Sequence, residues 1–215
     1  LFRSSAASDV YKRQDIFQYK GSPLKIDIKS GLFSAAGLGS SAALSNSMGA
    51  ALHQFTKPNE PLDLISLAKM GHSAEANAQK GRASPTDTAT SALGGCIVVS
   101  GHKVRGTRHV FDATLETPEG SRSWSVCEAK LPEIEDIWIV LGFTGIGSPT
   151  GKMVEGVSEL IGKYPQKMDD IRAIGDITSS GLASLSAGDM EGVGSAMSSC
   201  HCLLYTSPSP RDWLQ

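Results

Sequence analysis

The stretch SAAGLGSSAALSNS, residues 34–47, decides the fold. It sets two glycines two positions apart among alanines and serines, and it then continues into small and apolar residues. Alternating apolar and charged residues at 24–28 predict a half-buried strand, while 40–55 is rich in alanine and leucine and predicts a helix. A strand that enters a helix through glycines leaves unpaired N–H groups at the helix N-terminus, which favours anions. The stretch therefore predicts a phosphate-binding loop.

The residue types in this loop suit a phosphate in two ways. Glycine at positions 37 and 39 lets the backbone wrap closely around phosphate oxygens. Ser40 and Ser41 fall in the first turn of the predicted helix, where they offer an N-cap and a hydroxyl that can face a phosphate or its metal. From the residues alone, a pair of glycines that only packs helices, with an ordinary serine cap, stays open as the alternative.

Two other nucleotide-binding loops share parts of this pattern. The Walker loop requires a lysine after its last glycine, and here Ser40 follows Gly39. The dinucleotide-binding fingerprint is matched by Gly37, Gly39 and Ala42, but it requires a second parallel strand within about 30 residues. After Phe55 the chain passes through a proline-marked loop into a further helix, so neither loop is favoured.

The rest of the chain predicts a mixed order of elements. A second helix over 62–79 is followed by a polar loop that contains Asp87. Strands are predicted at 96–100, within 101–126 and at 137–143, and helices over 152–197. Because strands and helices are grouped rather than alternating, the sequence predicts the α+β class.

Composition and charge limit the partners of the chain. Its 20 basic and 22 acidic residues nearly balance, so no basic surface for nucleic acid is expected. The longest apolar run, 137–143, is far shorter than the roughly 20 residues of a membrane span. The four cysteines lack the CxxC spacing of a zinc site. We therefore expect a soluble cytoplasmic protein that binds neither nucleic acid nor membrane.

Three stretches carry a resemblance to a known superfamily. Residues 37–43, GLGSSAA, resemble the phosphate-binding loop of the GHMP kinases, which include galactokinase, homoserine kinase, mevalonate kinase and phosphomevalonate kinase. Residues 81–95 resemble mevalonate kinase, its archaeal branch in particular, and 142–157 resemble the opening of that family's second domain. The resemblance covers about residues 24–200. It implies a two-domain fold, with a first part like domain 2 of ribosomal protein S5 and a ferredoxin-like second part.

The resemblance also implies the chemistry of an ATP-dependent kinase that uses Mg²⁺. It assigns Ser41 and Glu75 to the metal, and it makes Asp87 the catalytic residue that orients the acceptor hydroxyl and accepts its proton. His72, one turn before Glu75, is expected to pack rather than to catalyse. The residues that the resemblance places on ATP are Ala35, Ala36, Gly37, Leu38, Gly39, Ser40, Ser41 and Thr150.

The acceptor that the resemblance implies is the 5-hydroxyl of mevalonate, in isoprenoid precursor synthesis. Three related activities stay open, namely those of mevalonate 3-kinase, phosphomevalonate kinase and homoserine kinase. A non-catalytic sensor that keeps the nucleotide loop of this fold without its chemistry is a hypothesis from another class. Family members are often dimers, so a homodimer is a further expectation.

The two ends of the chain look foreign to this fold. Residues 1–14 and 202–215 resemble translated adapter sequence, and we expect both to be non-native tails. Between them we expect a partial N-terminal ATP-binding domain at 15–130 and a partial C-terminal domain at 131–201. The family's first lysine-bearing motif and its last glycine-rich motif are not found in the chain. We therefore expect an internal fragment that is inactive by itself and that comes from an active kinase.

Overall fold

The computed structural model describes residues 19–32, 36–79, 81, 83–117, 120–133, 138, 140–143, 145 and 150–206. The chain divides into two compact units, Leu1–Glu128 and Ala129–Gln215. Helices and one small antiparallel sheet make up the described part, so the α+β class is confirmed. None of the described helices has both the length and the apolar character needed to cross a membrane.

The first helix, α1 (Ser40–Thr56), begins directly at the glycine loop. Gly39 is its N-cap residue and has a φ of 64°, and Gly37 has a φ of 73°. Both values lie in the left-handed region that glycine enters at little cost, which explains why the loop needs glycine at these two positions. The prediction that Ser40 caps the helix is wrong, because the left-handed turn at Gly39 makes Ser40 the first helical residue.

The second helix, α2 (Leu64–Ala78), has clear signals at both of its ends. The side chain of Asp63 caps its N-terminus by accepting hydrogen bonds from the amides of Ile65 and Ser66, at 3.1 and 3.2 Å. At the other end the amide of Gly81, whose φ is 82°, donates to the carbonyl of Ala76 at 2.7 Å. The predicted second helix is therefore confirmed, with its stop at the glycine.

A short helix and a three-stranded sheet complete the first unit. Helix α3 (Thr86–Leu93) leads through two glycines into β1 (Cys96–Ser100), which is followed by β2 (Thr107–Thr117) and β3 (Gly120–Ala129). The strand order is β1-β3-β2, so β3 is the central strand. The predicted strand at 96–100 and the antiparallel excursion after it are confirmed. The buried residues that join the helices to this sheet are Ala68, Ala89, Phe111, Ala113 and Val126.

The second unit is helical in its described part beyond residue 149. It contains α4 (Thr150–Lys163), a 3₁₀ turn (Pro165–Lys167), α5 (Met168–Ala187) and α6 (Met190–Thr206). Helix α5 ends at Gly188, which has a φ of 77° and donates from its amide to the carbonyl of Leu185 at 3.1 Å. The helical pattern predicted over 152–197, interrupted at Pro165 and before residue 190, is confirmed.

Two predicted strands are wrong. Residues 24–28 are not in a strand, and Leu24, Ile26 and Ile28 are 39, 44 and 56% exposed. Within 137–143, the described residues 138 and 140–143 are likewise outside any strand, and Val140 is 92% exposed. An apolar pattern supplies the side chains of a strand but not the neighbouring backbone that completes its hydrogen bonds. The described sheet pairs with neither segment.

Candidate functional site

Three helices of the first unit bring the predicted catalytic and metal-binding residues together. Ser41 lies in the first turn of α1, Glu75 in the last turn of α2 and Asp87 in the first turn of α3. Ser41 Oγ donates a hydrogen bond to Glu75 Oε1. A Cβ atom added at Gly39 would lie 3.6 Å from Asp87 Cγ, so this carboxylate lies against the glycine loop. Glu75 and Asp87, which follow Ser41 by 34 and 46 positions in the sequence, thus meet it at one helix end.

The start of α1 has the features of an anion-binding helix end. Its first helical hydrogen bond runs from the amide of Ala43 to the carbonyl of Gly39, at 2.9 Å. The amides of Ser40, Ser41 and Ala42 come before it and have no partner within the helix. The N-cap residue is a glycine and supplies no capping side chain. These amides, together with the positive end of the helix dipole, are the groups that bind phosphate oxygens at helix N-termini.

Glu75 is a buried carboxyl group with an unusual environment. It is 6% exposed, and this burial is the main reason why its pKa is raised above the ordinary value. The hydrogen bond from Ser41 opposes the rise, while the negative charge of Asp87 adds to it. Two carboxylates therefore act on each other beside the same loop. A cation between them would offset both the burial of Glu75 and this repulsion.

The donor set fits a small hard cation such as Mg²⁺. Mg²⁺ takes oxygen ligands, keeps several waters and is commonly held by one or two carboxylates together with the phosphates of a substrate. Ser41 and Glu75 supply a hydroxyl and a carboxylate that already touch each other. Within the described part of the chain, no group of three or more His, Cys, Asp or Glu side chains is assembled as a metal site. A metal at this helix end would thus complete its shell with phosphate and water.

The sequence predicted Asp87 in a polar loop, but the structure places it within helix α3. The helix starts at Thr86 after Pro85, and Asp87 occupies its first turn with an exposed side chain. The reason is that Thr86, Asp87 and Thr88 are compatible with a first turn, where an acidic side chain also complements the helix dipole. This placement suits the predicted role, because a helix holds the carboxylate more rigidly than a loop does.

The structure describes only some of the other predicted ATP-binding residues. Ala36 and Leu38 flank Gly37 in the bend before α1 and are half-buried. Ala35 lies outside the described residues. Thr150 begins α4 in the second unit, and its side chain is outside the described part of the chain. The groups brought together by the structure are therefore the loop from Gly37 to Ser41, Glu75 and Asp87.

Two polar residues near the site were not assigned to it from the sequence. His72 is 3% exposed, and its Nε2 donates to the carbonyl of Ala83 at 3.1 Å while its ring contacts the ring of Trp124 edge-on, with centroids 5.5 Å apart. It packs, as predicted, and it also holds the segment before Asp87. Burial lowers its pKa, so the neutral ring is favoured, and the bond to Ala83 opposes that shift.

Asn46 is the second of these residues. It is 4% exposed, and its Nδ2 donates to the carbonyl of Thr88 at 2.8 Å. The signal that could have identified it is its helical spacing. Asn46 lies at the interval of a buried helix face, together with Ala42, Ser45 and Gly49, and it is the largest polar residue on that face.

The chain resembles a known family of protein domains over part of its length. Neither the curated proteins nor the solved structures gave a match. Residues 5–95, which contain the glycine loop, Glu75 and Asp87, match the family model described as the GHMP kinases N terminal domain.

Proposed function

We propose that this chain carries the nucleotide-binding and catalytic part of an ATP-dependent kinase that phosphorylates mevalonate on its 5-hydroxyl. The observation that carries the proposal is the meeting of Ser41, Glu75 and Asp87 at the glycine-capped start of α1. A helix-packing glycine pair offers no reason for two interacting carboxylates at the same helix end. The match of residues 5–95 supports a small-molecule kinase, since the GHMP kinases are of this class.

The roles of the residues follow from the demands of phosphoryl transfer. The backbone amides from Gly37 to Ser41 bind the β- and γ-phosphates of ATP at the helix end. Ser41 and Glu75 would hold Mg²⁺, which neutralises charge on those phosphates when it is bound. Asp87 faces the acceptor hydroxyl, holds it in line with the γ-phosphorus and takes its proton. The hydroxyl oxygen forms the new bond to phosphorus, and the bond to ADP breaks with its electron pair leaving on ADP.

Mevalonate is favoured as the acceptor by the segment around Asp87. Residues 81–95, GRASPTDTATSALGG, are the stretch that resembles mevalonate kinase. In the structure the start of this segment is held by the hydrogen bond from His72 to Ala83, directly before the helix that carries Asp87. A segment fixed in this way suits the binding of one particular acceptor. Mevalonate 3-kinase, phosphomevalonate kinase and homoserine kinase are the neighbouring activities to be tested.

The test is an acceptor panel on the gene product that contains this chain. ADP release is measured with mevalonate, phosphomevalonate, homoserine and galactose, for the wild type and for Asp87→Asn. We expect turnover with mevalonate, a fall in kcat of about 10²- to 10⁴-fold in the variant, and unchanged binding of ATP. If ATP binds and no acceptor raises turnover, the kinase proposal fails and the sensor hypothesis replaces it. Turnover with another acceptor alone would remove mevalonate and keep the kinase.

A further inference from the structure

We propose that Asn46 is a positioning residue that holds Asp87 against the glycine loop. The proposal rests on the function proposed above, because it concerns the same carboxylate. It goes beyond that function by assigning a role to a side chain that contacts no substrate group in the proposed chemistry. Asn46 acts through the carbonyl of Thr88, the residue that directly follows Asp87.

The first step is the hydrogen bond between two helices. Asn46 lies on α1, five positions after Ser41, and its Nδ2 donates to the Thr88 carbonyl of α3 at 2.8 Å. Only the amide nitrogen can face a carbonyl oxygen as a donor, so this bond fixes the orientation of the whole side-chain amide. Asn46 is 4% and Thr88 0% exposed, and water therefore does not compete for the bond.

The second step is that the oxygen of the Asn46 side-chain amide carries an energetic cost. Asn46 Oδ1 is buried and finds no hydrogen-bond partner among the described residues. A buried acceptor without a partner is costly, and an apolar side chain of similar size such as leucine would fill the same space without that cost. Packing alone thus does not account for an asparagine at this position. The bond to Thr88 is the feature that only the amide provides.

The third step is the crowding of three helices at this point. Gly71 of α2 lies against Asn46, and a Cβ added at Gly71 would be 3.3 Å from both Asn46 Cγ and Thr88 Cγ2, and closer still to Asn46 Oδ1. Asn46, Gly71 and Thr88 therefore form one junction of α1, α2 and α3. These are the same three helices that carry Ser41, Glu75 and Asp87. A shift at the junction moves the three groups of the site relative to one another.

The direct test measures the contact between Asp87 and the glycine loop. In the ¹H–¹⁵N spectrum of the 215-residue chain, Asp87→Asn should shift the Gly39 amide signal, since the carboxylate lies against that residue. We expect this response to be much smaller when Asn46→Leu is also present. Gly71→Ala, whose added Cβ would overlap Asn46 Oδ1 and crowd Thr88, should have the same effect. Two independent variants keep the test valid if one of them fails to fold.

A matched control separates positioning from loss of packing. Gly49→Ala introduces the same methyl group between α1 and α2, where it would meet the flexible ends of Met70 and Leu67, the latter at 2.9 Å. It does not touch Asn46, and we expect it to leave the Gly39 response to Asp87→Asn at its full size. An equal response in the wild-type, Asn46→Leu and Gly49→Ala backgrounds would overturn the proposal.

Kinetics give a second readout on the active gene product. Asn46→Leu should lower kcat about 10- to 100-fold, because a small misplacement of a catalytic group has effects of this size, while the KM for ATP stays unchanged. Gly49→Ala should keep its kcat. If the wild type turns over no acceptor, the proposed function is contradicted but the role of Asn46 is not. The response of the Gly39 amide signal to Asp87→Asn still tests that role.

Discussion

The two units of this chain differ in what their helices bury. In the first unit, α1–α3 enclose polar and charged groups with named partners, among them Asn46, His72, Glu75 and Thr88. In the second unit, α5 buries none of its residues, and large apolar side chains such as Met197, at 69% exposure, face outwards. Good helical periodicity is present in both units. The difference teaches that apolar periodicity is enough to form a helix, whereas a candidate functional site also requires specific polar groups buried between helices.

The largest expected effect tests the difference in burial directly. Phe111 is 5% exposed in the core that joins the sheet to α2 and α3, while Met197 is mostly exposed on α6. Phe111→Ala should lower the free energy of unfolding by about 3–5 kcal/mol, because it leaves a cavity. Met197→Ala should change it by no more than about 0.5 kcal/mol. Urea denaturation followed by circular dichroism measures both, and equal losses would contradict the contrast between the units.

The next effect concerns two glycines in different conformations. Gly39 has a φ of 64° at the start of α1, so Gly39→Ala should cost about 1–2 kcal/mol of stability through backbone strain. It should also weaken ATP binding, because the amides of the loop are displaced. Calorimetric titration with Mg·ATP and a thermal melt measure the two effects.

Gly194 of α6 is the matched control for Gly39. It is exposed and has no φ in the left-handed region, and a Cβ added there would meet nothing within 4 Å. Gly194→Ala should therefore raise stability by about 0.5–1 kcal/mol, as in other helix interiors, and leave ATP binding unchanged. A loss of stability in both variants would mean that conformation at Gly39 is not the cause.

A third change separates stability from binding at Glu75. Glu75→Gln keeps an oxygen for the hydrogen bond from Ser41 but removes a buried negative charge. Burial is the main cause of the raised pKa of the Glu75 carboxyl group. We expect unchanged or higher stability at pH 7 and a loss of metal-dependent ATP affinity of roughly tenfold or more. Titration of ATP with and without Mg²⁺ measures the second effect. Unchanged dependence on Mg²⁺ would remove Glu75 from the metal.

The smallest expected effect is a pH dependence that originates at His72. Burial lowers its folded pKa below the ordinary value of 6.5, so the folded state favours the neutral ring. This contribution to stability is present above pH 6.5 and is lost as the pH falls through the folded pKa. The urea concentration at the midpoint of unfolding should therefore decrease as the pH is lowered from 7.5 to 5.5. His72→Gln keeps a donor for the Ala83 carbonyl but does not titrate, and it should show a weaker decrease than the wild type.

The glycine loop was the most predictable part of the site. Gly37 and Gly39 require left-handed backbone, and only a few residue types permit it, so the local sequence indicates the bend and the helix that follows. Helices α2, α5 and α6 were also predictable from their periodicity and from glycine or proline stops. The strands predicted at 24–28 and 137–143 are wrong, because a strand needs a partner that its own residues do not specify.

The sequence by itself determined the α+β class, the glycine loop, the helix that follows the loop, the stop of α2 at Gly81 and the residue types available for the site, because backbone conformation depends on near neighbours. Only the tertiary structure decided that Ser41 contacts Glu75, that Asp87 lies in the first turn of a helix against Gly39, and that Asn46 joins α1 to α3. These contacts join residues 34 to 48 positions apart, and they form because the small residues on α1–α3 let the helices pack closely around a few buried polar groups.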